Sequence, residues 1–145
     1  MTSVPIGPDL FADSTEGPRL LGSRCEHCGV VTFPSQDGCP RCGAEPLVRH
    51  ELARHGTLWT WTTQNFRPKA PYAGPGDERD FRPFVLGYVE LGGEVRVEGH
   101  ILAEPEDVKI GMPLETVVIP FREDESGRQV LTFAFAPSAT TEPLT

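Results

Sequence analysis

Two Cys-x-x-Cys pairs constrain the fold of this chain more than any other feature. The pairs Cys25–Cys28 and Cys39–Cys42 contain every cysteine of the sequence, and ten residues separate them. A tetrahedral zinc ion takes four thiolates that converge from two directions, and each Cys-x-x-Cys turn offers two sulfurs from one tight loop. The spacing therefore predicts a zinc ribbon in which a structural Zn²⁺ is held by Cys25, Cys28, Cys39 and Cys42.

A glycine follows each pair, at Gly29 and Gly43. We interpret these glycines as positions where the missing Cβ lets backbone N–H groups approach the sulfurs without a clash. With cysteine at all four ligand positions, no coordination site is left for a substrate water, so we expect a structural and not a catalytic metal.

Other uses of four cysteines fit less well. Two disulfides would suit a small secreted domain, but residues 1–10 have neither the basic start nor the apolar run of a signal peptide. A thioredoxin-like redox motif would occur once, not twice. We expect the side chain of His27 to point away from the metal, and we interpret three further histidines as ordinary surface or strand residues: His50, His55 and His100.

Composition limits the possible partners. The chain has 145 residues and a formal net charge of −8. An acidic balance argues against broad binding to nucleic acid or to anionic membranes, because both need a dense cationic footprint. No apolar run approaches the length that a bilayer requires. We therefore expect a cytoplasmic protein that binds neither nucleic acid nor membrane.

The sequence predicts four segments. Residues 1–18 form an N-terminal helical segment, with a short helix over about 8–18 that uses Leu10 and Phe11 as apolar contacts and ends at Gly17–Pro18. Residues 19–50 form the ribbon, with a strand over 30–33 between the two cysteine pairs. Residues 51–137 are rich in strands, and residues 138–145 form a flexible tail.

Five strands are expected in the third segment, because bulky and polar residues alternate there with the period of a half-buried strand. Gly92–Gly93 predicts a tight hairpin between the second and third strands, and Pro105–Val108 predicts a helical turn between the third and fourth. This order matches an OB-fold barrel. The expected fold is all-β: an N-terminal helix and a rubredoxin-like zinc ribbon, followed by a five-stranded OB-fold with strands at 57–63, 84–91, 94–102, 114–121 and 129–136.

A long irregular segment, residues 65–83, separates the first two barrel strands. Loops of this length in a compact domain are usually functional or disordered. Its cations could hold phosphates through charge-assisted hydrogen bonds, and its rings could stack on a base or pack on a partner protein. Alternatively, its acidic residues pair with those cations and the loop only solvates itself. The candidate ligand-binding residues are Arg67, Lys69, Tyr72 and Arg82.

Signatures of catalysis are missing: there is no G-x-S-x-G, no H-E-x-x-H and no Walker-type phosphate loop. Single-stranded nucleic-acid binding stays open, since OB-folds and zinc ribbons both do this, and Trp59 and Trp61 would support it if exposed on one face. A self-sufficient enzyme also stays open, although no nucleophile–base pair can be named.

These residues together resemble one family, the zinc-ribbon/OB-fold acyl-CoA-associated proteins, long catalogued as a domain of unknown function. The resemblance runs from about residue 8 to residue 137. It is carried by Cys25–Gly29, Cys39–Gly43, Gly56–Leu58, Phe84–Leu91 and Ile110–Pro113. Leu10–Phe11 stands where such proteins often have a Phe-Trp pair.

The resemblance implies a non-catalytic accessory subunit of a thiolase-fold enzyme, either a thiolase or a retro-aldolase. Such proteins are typically encoded beside their partner and form hetero-oligomers with it, here a heterotetramer. The partner acts on a bulky acyl-CoA, such as a steroid side-chain or aromatic acyl-CoA. In that setting the coenzyme A thioester is a ligand of the complex. We expect its binding residues to be Arg67, Lys69, Tyr72 and Arg82; alternatively, the three cations shape the substrate tunnel at the subunit boundary.

Overall fold

The computed structural model of the chain describes residues 3–6, 10–65 and 83–138, and this part is almost entirely β. No helix within these ranges is long and apolar enough to cross a membrane. A 3₁₀ turn lies at Pro105–Asp107. The strands, numbered along the chain, are β1 (Ser3–Pro5), β2 (Phe11–Ser14), β3 (Gly17–Arg24), β4 (Val31–Thr32), β5 (Val48–Glu51), β6 (His55–Gln64), β7 (Phe84–Leu91), β8 (Val95–Ile101), β9 (Pro113–Glu123) and β10 (Gln129–Pro137).

Strands β6 to β10 close into a barrel. β6, β7 and β8 form an antiparallel meander, and β9 and β10 form an antiparallel hairpin. β10 meets β8 in a parallel pair at Phe135 and Ile101, and β9 returns to β6 to close the ring. Closure removes most open sheet edges. The five predicted strands, the Gly92–Gly93 hairpin and the short helical turn before β9 are therefore confirmed.

The ribbon is built around β3. β4 and β5 pair with β3 on its two sides, so a three-stranded sheet carries the cysteine loops at its end. The predicted strand between the two cysteine pairs is confirmed, although it is only two residues long, Val31–Thr32. Ser23, which is buried, fixes the loop that leads to the second pair, because its hydroxyl donates to the Gln36 carbonyl at 3.2 Å and accepts the Gln36 amide at 3.0 Å.

The predicted N-terminal helix is wrong for its described part. Phe11–Ser14 is instead strand β2, which pairs antiparallel with the start of β3 and matches Phe11 with Leu20. Ser14 and Gly17 bound the turn: the Ser14 hydroxyl donates to the Gly17 carbonyl at 2.6 Å, and Gly17 has φ +128°. A helix this short is marginal by itself, and the hairpin instead gives Phe11 a place against the core.

A further strand, β1, was not predicted from the sequence. It adds to the barrel by pairing parallel with Gln129–Leu131 of β10. Three residues, one of them proline, carry too little alternation to be recognised as a strand.

One hydrophobic core serves both the ribbon and the barrel. Leu20 and Leu52, from the ribbon side, lie in the same buried cluster as barrel residues including Val89, Leu114 and Phe135. Leu20 and Phe135 are both 0% exposed. The ribbon's Phe33 also meets Phe133 of β10 edge-on, with ring centroids 5.6 Å apart. Because each part buries its apolar surface against the other, we expect the two to fold as one unit.

A β-bulge interrupts β6. Leu58 pairs with Val89 and Thr60 pairs with Tyr88, so Trp59 is an extra residue with no partner on β7. Strict alternation would place Leu58 and Trp61 on opposite faces, yet Leu58 is buried and Trp61 packs against the core. The bulge makes this possible, because the alternation shifts by one residue after Trp59, so that Thr60 pairs with the exposed Tyr88 and Trp61 turns toward the core.

The shared core leads to a prediction about stability. Leu20→Ala should lower the free energy of unfolding by about 2–5 kcal/mol, because it leaves a cavity where ribbon and barrel meet. Urea denaturation should show a single transition, with tryptophan fluorescence from the barrel and far-ultraviolet circular dichroism changing together.

Leu102→Ala is the matched control, since Leu102 is 42% exposed, and it should change stability by less than about 0.5 kcal/mol. If Leu20→Ala left the fluorescence transition of the barrel unchanged, the shared core would not be a single cooperative unit.

Candidate metal centre

The four cysteine sulfurs meet at the end of the ribbon. Cys25 Sγ lies 3.6 Å from Cys42 Sγ, and Cys28 Sγ lies 3.5 Å from Cys39 Sγ. All four sulfurs lie within 4.8 Å of one another. Zn–S bonds of about 2.3 Å in a tetrahedron give S–S separations of about 3.8 Å, whereas a disulfide has an S–S distance of about 2.05 Å. The spacing thus fits four ligands of one metal, and the four cysteines are free thiols.

The two Cys-x-x-Cys pairs adopt the same type of local turn. The Gly29 amide donates to the Cys25 carbonyl at 2.8 Å, and the Gly43 amide donates to the Cys39 carbonyl at 3.0 Å. The two glycines have φ +80° and +77°, a region that other L-residues rarely adopt. An added Cβ would meet no atom within 4 Å at either position. The turns therefore need glycine for its backbone conformation, and our interpretation that glycine avoids a Cβ clash is wrong.

Backbone amides also point at the sulfurs. The Cys28 amide donates to Cys25 Sγ and the Cys42 amide donates to Cys39 Sγ, each at 3.4 Å. The Cys42 amide is the main reason that the pKa of Cys39 falls to about 6, and the Cys28 amide likewise lowers the pKa of Cys25. Hydrogen bonds of this kind favour the charged thiolate, which is the form that binds metal.

The pKa of Cys42 shifts in the opposite direction. The Ala44 amide lowers its pKa, but burial and the neighbouring sulfurs, Cys25 first among them, outweigh that effect and raise the pKa to about 12. Thiolates this close repel one another, so the last of the four stays protonated unless a cation lies between them. The donor set and its geometry fit Zn²⁺, which would supply that charge and leave no position open for a substrate.

The histidines lie where the sequence indicated. His27 is exposed within the first cysteine loop. His50 contacts Glu94 at 3.0 Å, His55 lies 3.8 Å from Glu115, and His100 stacks on Phe84 with ring centroids 4.2 Å apart. Burial lowers the pKa of His100. Within the described ranges, the group of metal-ligating side chains is made of the four cysteines alone.

The four predicted coenzyme A ligands lie outside the described residues: Arg67, Lys69, Tyr72 and Arg82. The expected flexible tail lies outside them as well, apart from Ser138. The two tryptophans are separated by the bulge, because Trp59 is 48% exposed while Trp61 packs against the core. The condition for a two-tryptophan stacking surface, that both be exposed on one face, is therefore not met.

Sequence reasoning missed an aromatic cluster around Trp59 on the outside of the barrel. The Arg96 guanidinium lies 3.9 Å from the centroid of the Trp59 ring, and Tyr88 meets that ring edge-on at 6.3 Å. Glu98 lies opposite Tyr88 in the β7–β8 register, and hydrogen bonding to its carboxylate, together with its negative charge, raises the pKa of Tyr88. Regular alternation would have put Trp59 on the same face as Trp61, so no sequence pattern could reveal the cluster.

The metal centre leads to a prediction about zinc content. The purified chain should hold one Zn²⁺, and Cys39→Ser should lose it, because three thiolates cannot complete the tetrahedral site. Zinc affinity should fall as the pH falls, since each ligand must lose a proton to bind. Elemental analysis after dialysis at several pH values measures both effects.

His27→Ala is the control, since it lies between the ligands in sequence but is exposed, and it should retain the full zinc content. Loss of zinc in this variant, or its retention in Cys39→Ser, would contradict the assignment of ligands.

Comparison with known proteins identifies the families to which the ribbon and the barrel are similar. Residues 17–48 match the family model of the ChsH2 rubredoxin-like zinc ribbon domain, and residues 49–119 match that of the ChsH2 C-terminal OB-fold domain. A DUF35 domain-containing scaffold protein of Methanocaldococcus jannaschii is 33% identical over 121 residues, which cover 81% of each chain.

Two further similarities concern subunits of enzymes. The benzoylsuccinyl-CoA thiolase subunit BbsA of Thauera aromatica is 27% identical over 130 residues, covering 88% of this chain and 84% of the relative. A solved structure described as the Ltp2-ChsH2(DUF35) aldolase superposes with a TM-score of 0.58 at 26% identity, covering 82% of this chain and 84% of the other. With both family models matched in order over residues 17–119, the chain belongs to the ChsH2/DUF35 family, in which a rubredoxin-like zinc ribbon precedes an OB-fold domain.

Proposed function

We propose that this chain is a non-catalytic accessory subunit that binds a thiolase-fold enzyme acting on an acyl-CoA. The observation that carries the proposal is the combination of ribbon and barrel around one core, in the arrangement shared with a protein described as an aldolase complex. A relative of similar length is described as a thiolase subunit. Both descriptions concern carbon–carbon bond chemistry that another subunit can perform.

The chemistry of the described residues is consistent with a non-catalytic role. A metal held by four thiolates has no open coordination position, so it cannot activate water or polarise a carbonyl. Three described histidines contact carboxylates or a ring, and within the described ranges none is hydrogen-bonded to a serine, threonine or cysteine that could serve as a nucleophile. The rigid ribbon and barrel instead offer a preformed surface, which reduces the entropy lost on association.

The finer proposal concerns substrate and assembly. We expect a hetero-oligomer, a heterotetramer in its simplest form, that acts in the cytoplasm on a bulky acyl-CoA such as a steroid side-chain or aromatic acyl-CoA. The cations of the 65–83 loop suit the phosphates of coenzyme A, because guanidinium and ammonium groups donate several charge-assisted hydrogen bonds. In this proposal Arg67, Lys69 and Arg82 hold phosphates and Tyr72 packs on the ligand.

The first test is assembly. Co-expression with the thiolase-fold protein encoded beside the gene for this chain should yield a complex that survives size-exclusion chromatography. Turnover of acyl-CoA should require both chains. If the two proteins elute separately at micromolar concentration, or if this chain alone turns over the thioester, the proposed role is wrong.

The second test concerns the loop. In the assembled complex, replacing Arg67, Lys69 and Arg82 by alanine should raise the KM for acyl-CoA by roughly 10-fold or more, because each lost charge-assisted hydrogen bond is worth about 1.5–3 kcal/mol when buried and less when exposed. Steady-state kinetics at fixed complex concentration gives the comparison.

The matched control removes the same charges from the barrel: Lys109, Arg122 and Arg128, also two arginines and one lysine, replaced by alanine. This control should leave KM unchanged. Equal values of KM in the wild type and the loop variant would show that the loop does not hold coenzyme A.

A further inference from the structure

An exposed aromatic side chain lies on the outer face of β6, β7 and β8, at the point where β6 departs from regular pairing. Trp59 is the extra residue of the β6 bulge and is 48% exposed, and its neighbour across the strands, Tyr88, is 40% exposed. Bulges are local features that re-aim a side chain. A single exposed apolar residue needs no explanation, but two large aromatic rings in contact on one face form a patch of the kind that marks interaction sites.

This patch is held rigid before any partner binds. Arg96 lies over the Trp59 ring at 3.9 Å, and its Nε is 3.2 Å from the Glu90 carboxylate. Tyr88 meets the same ring at 86° and lies opposite Glu98 in the β7–β8 register. These contacts restrict the two rings, so less side-chain entropy is lost on association than for isolated exposed residues. Tryptophan, tyrosine and arginine are also the residues enriched at the energetic centres of protein interfaces.

A groove of about 230 Å³ runs beside the rings. It is lined mostly by apolar surface, with Leu86 and Tyr88 on β7 and the hydroxyl-bearing Thr60 and Thr62 on β6. Glu98 lies at its border on β8, and no lysine, arginine or histidine of the described residues forms an ion pair with it. Arg96, by contrast, already pairs with Glu90. The groove therefore combines an apolar floor with one carboxylate that pairs with no cation among the described residues.

We infer that this surface, named here the Trp59 face (Trp59, Thr60, Leu86, Tyr88, Arg96 and Glu98), is where the thiolase-fold partner docks, through a segment that carries an apolar side chain beside an arginine or lysine. The apolar side chain fills the groove and the cation pairs with Glu98. This inference rests on the proposed function. Charge complementarity supports it, because the chain has a net charge of −8 and complementary potentials steer association.

Nucleic acid fits the Trp59 face less well. Glu98 lies on it and Glu90 pairs with its Arg96, so both carboxylates would repel phosphates, and of the two tryptophans Trp61 packs partly against the core. A second copy of this chain is the remaining occupant, and the experiment below distinguishes it.

The test measures the affinity for the thiolase-fold protein encoded beside the gene for this chain. Trp59→Ser and Glu98→Lys should each raise the Kd by about 10-fold or more, as expected at the centre of an interface. Glu125→Lys makes the same charge reversal at an exposed residue of the β9–β10 turn and should change the Kd by less than about twofold. Zinc content and circular dichroism establish that the variants are folded.

A second measurement uses the wild-type chain and needs no substitution. Hydroxyl-radical footprinting read by mass spectrometry should show Trp59 oxidised several-fold more slowly in the complex than in the free chain. Protection of Trp59 together with weakened binding of both variants supports the inference.

Three outcomes would overturn it. If the wild type binds the partner but both variants bind equally well and Trp59 is not protected, the Trp59 face is wrong and the proposed function stands. If the wild type does not bind the partner at all, both the Trp59 face and the proposed function are wrong. If sedimentation shows that the chain dimerises, and Trp59→Ser abolishes the dimer without changing the affinity for the partner, the face joins two copies of this chain.

Discussion

Four sulfurs brought within 4.8 Å of one another are the constraint on which the rest of the ribbon depends. Their negative charges repel, and backbone amides offset only part of that repulsion: the pKa of Cys39 falls to about 6 while that of Cys42 rises to about 12. A divalent cation resolves the conflict, because it makes all four thiolates favourable at once. Metal binding then contributes directly to folding, on the order of 10 kcal/mol in small zinc domains.

That constraint extends into the barrel through packing. β3 leads from the hairpin at the N-terminus to the first cysteine, and Leu20, within β3, lies in the core beside barrel residues such as Leu114. An ion pair adds to this packing, because the Arg54 guanidinium lies 2.6 Å from the carboxylate of Glu115 on β9. A rigid ribbon fixed to a rigid barrel presents one continuous surface. In the accessory role that we propose, such a surface would hold a partner in a defined geometry.

The sequence was sufficient for the features that depend on local pattern. The Cys-x-x-Cys spacing predicted the cluster of four cysteines, and the alternation in residues 84–91 and 94–102 predicted β7 and β8, since each strand has one buried face. It failed where tertiary contacts overrule local preference. Phe11–Ser14 pairs with β3 instead of forming a helix. The bulge at Trp59 reverses the alternation of β6 and depends on which residues of β7 it opposes. Glycines 29 and 43 were recognised, but their backbone angles gave a different reason for them.

X-ray absorption at the zinc K-edge of the purified chain tests the central claim most directly, because it reports the atoms bound to the metal in solution. The account predicts four sulfur neighbours at about 2.3 Å and no nitrogen or oxygen ligand. A first shell containing nitrogen or oxygen would contradict it. So would a chain that is fully folded with no zinc and with its cysteines joined as disulfides.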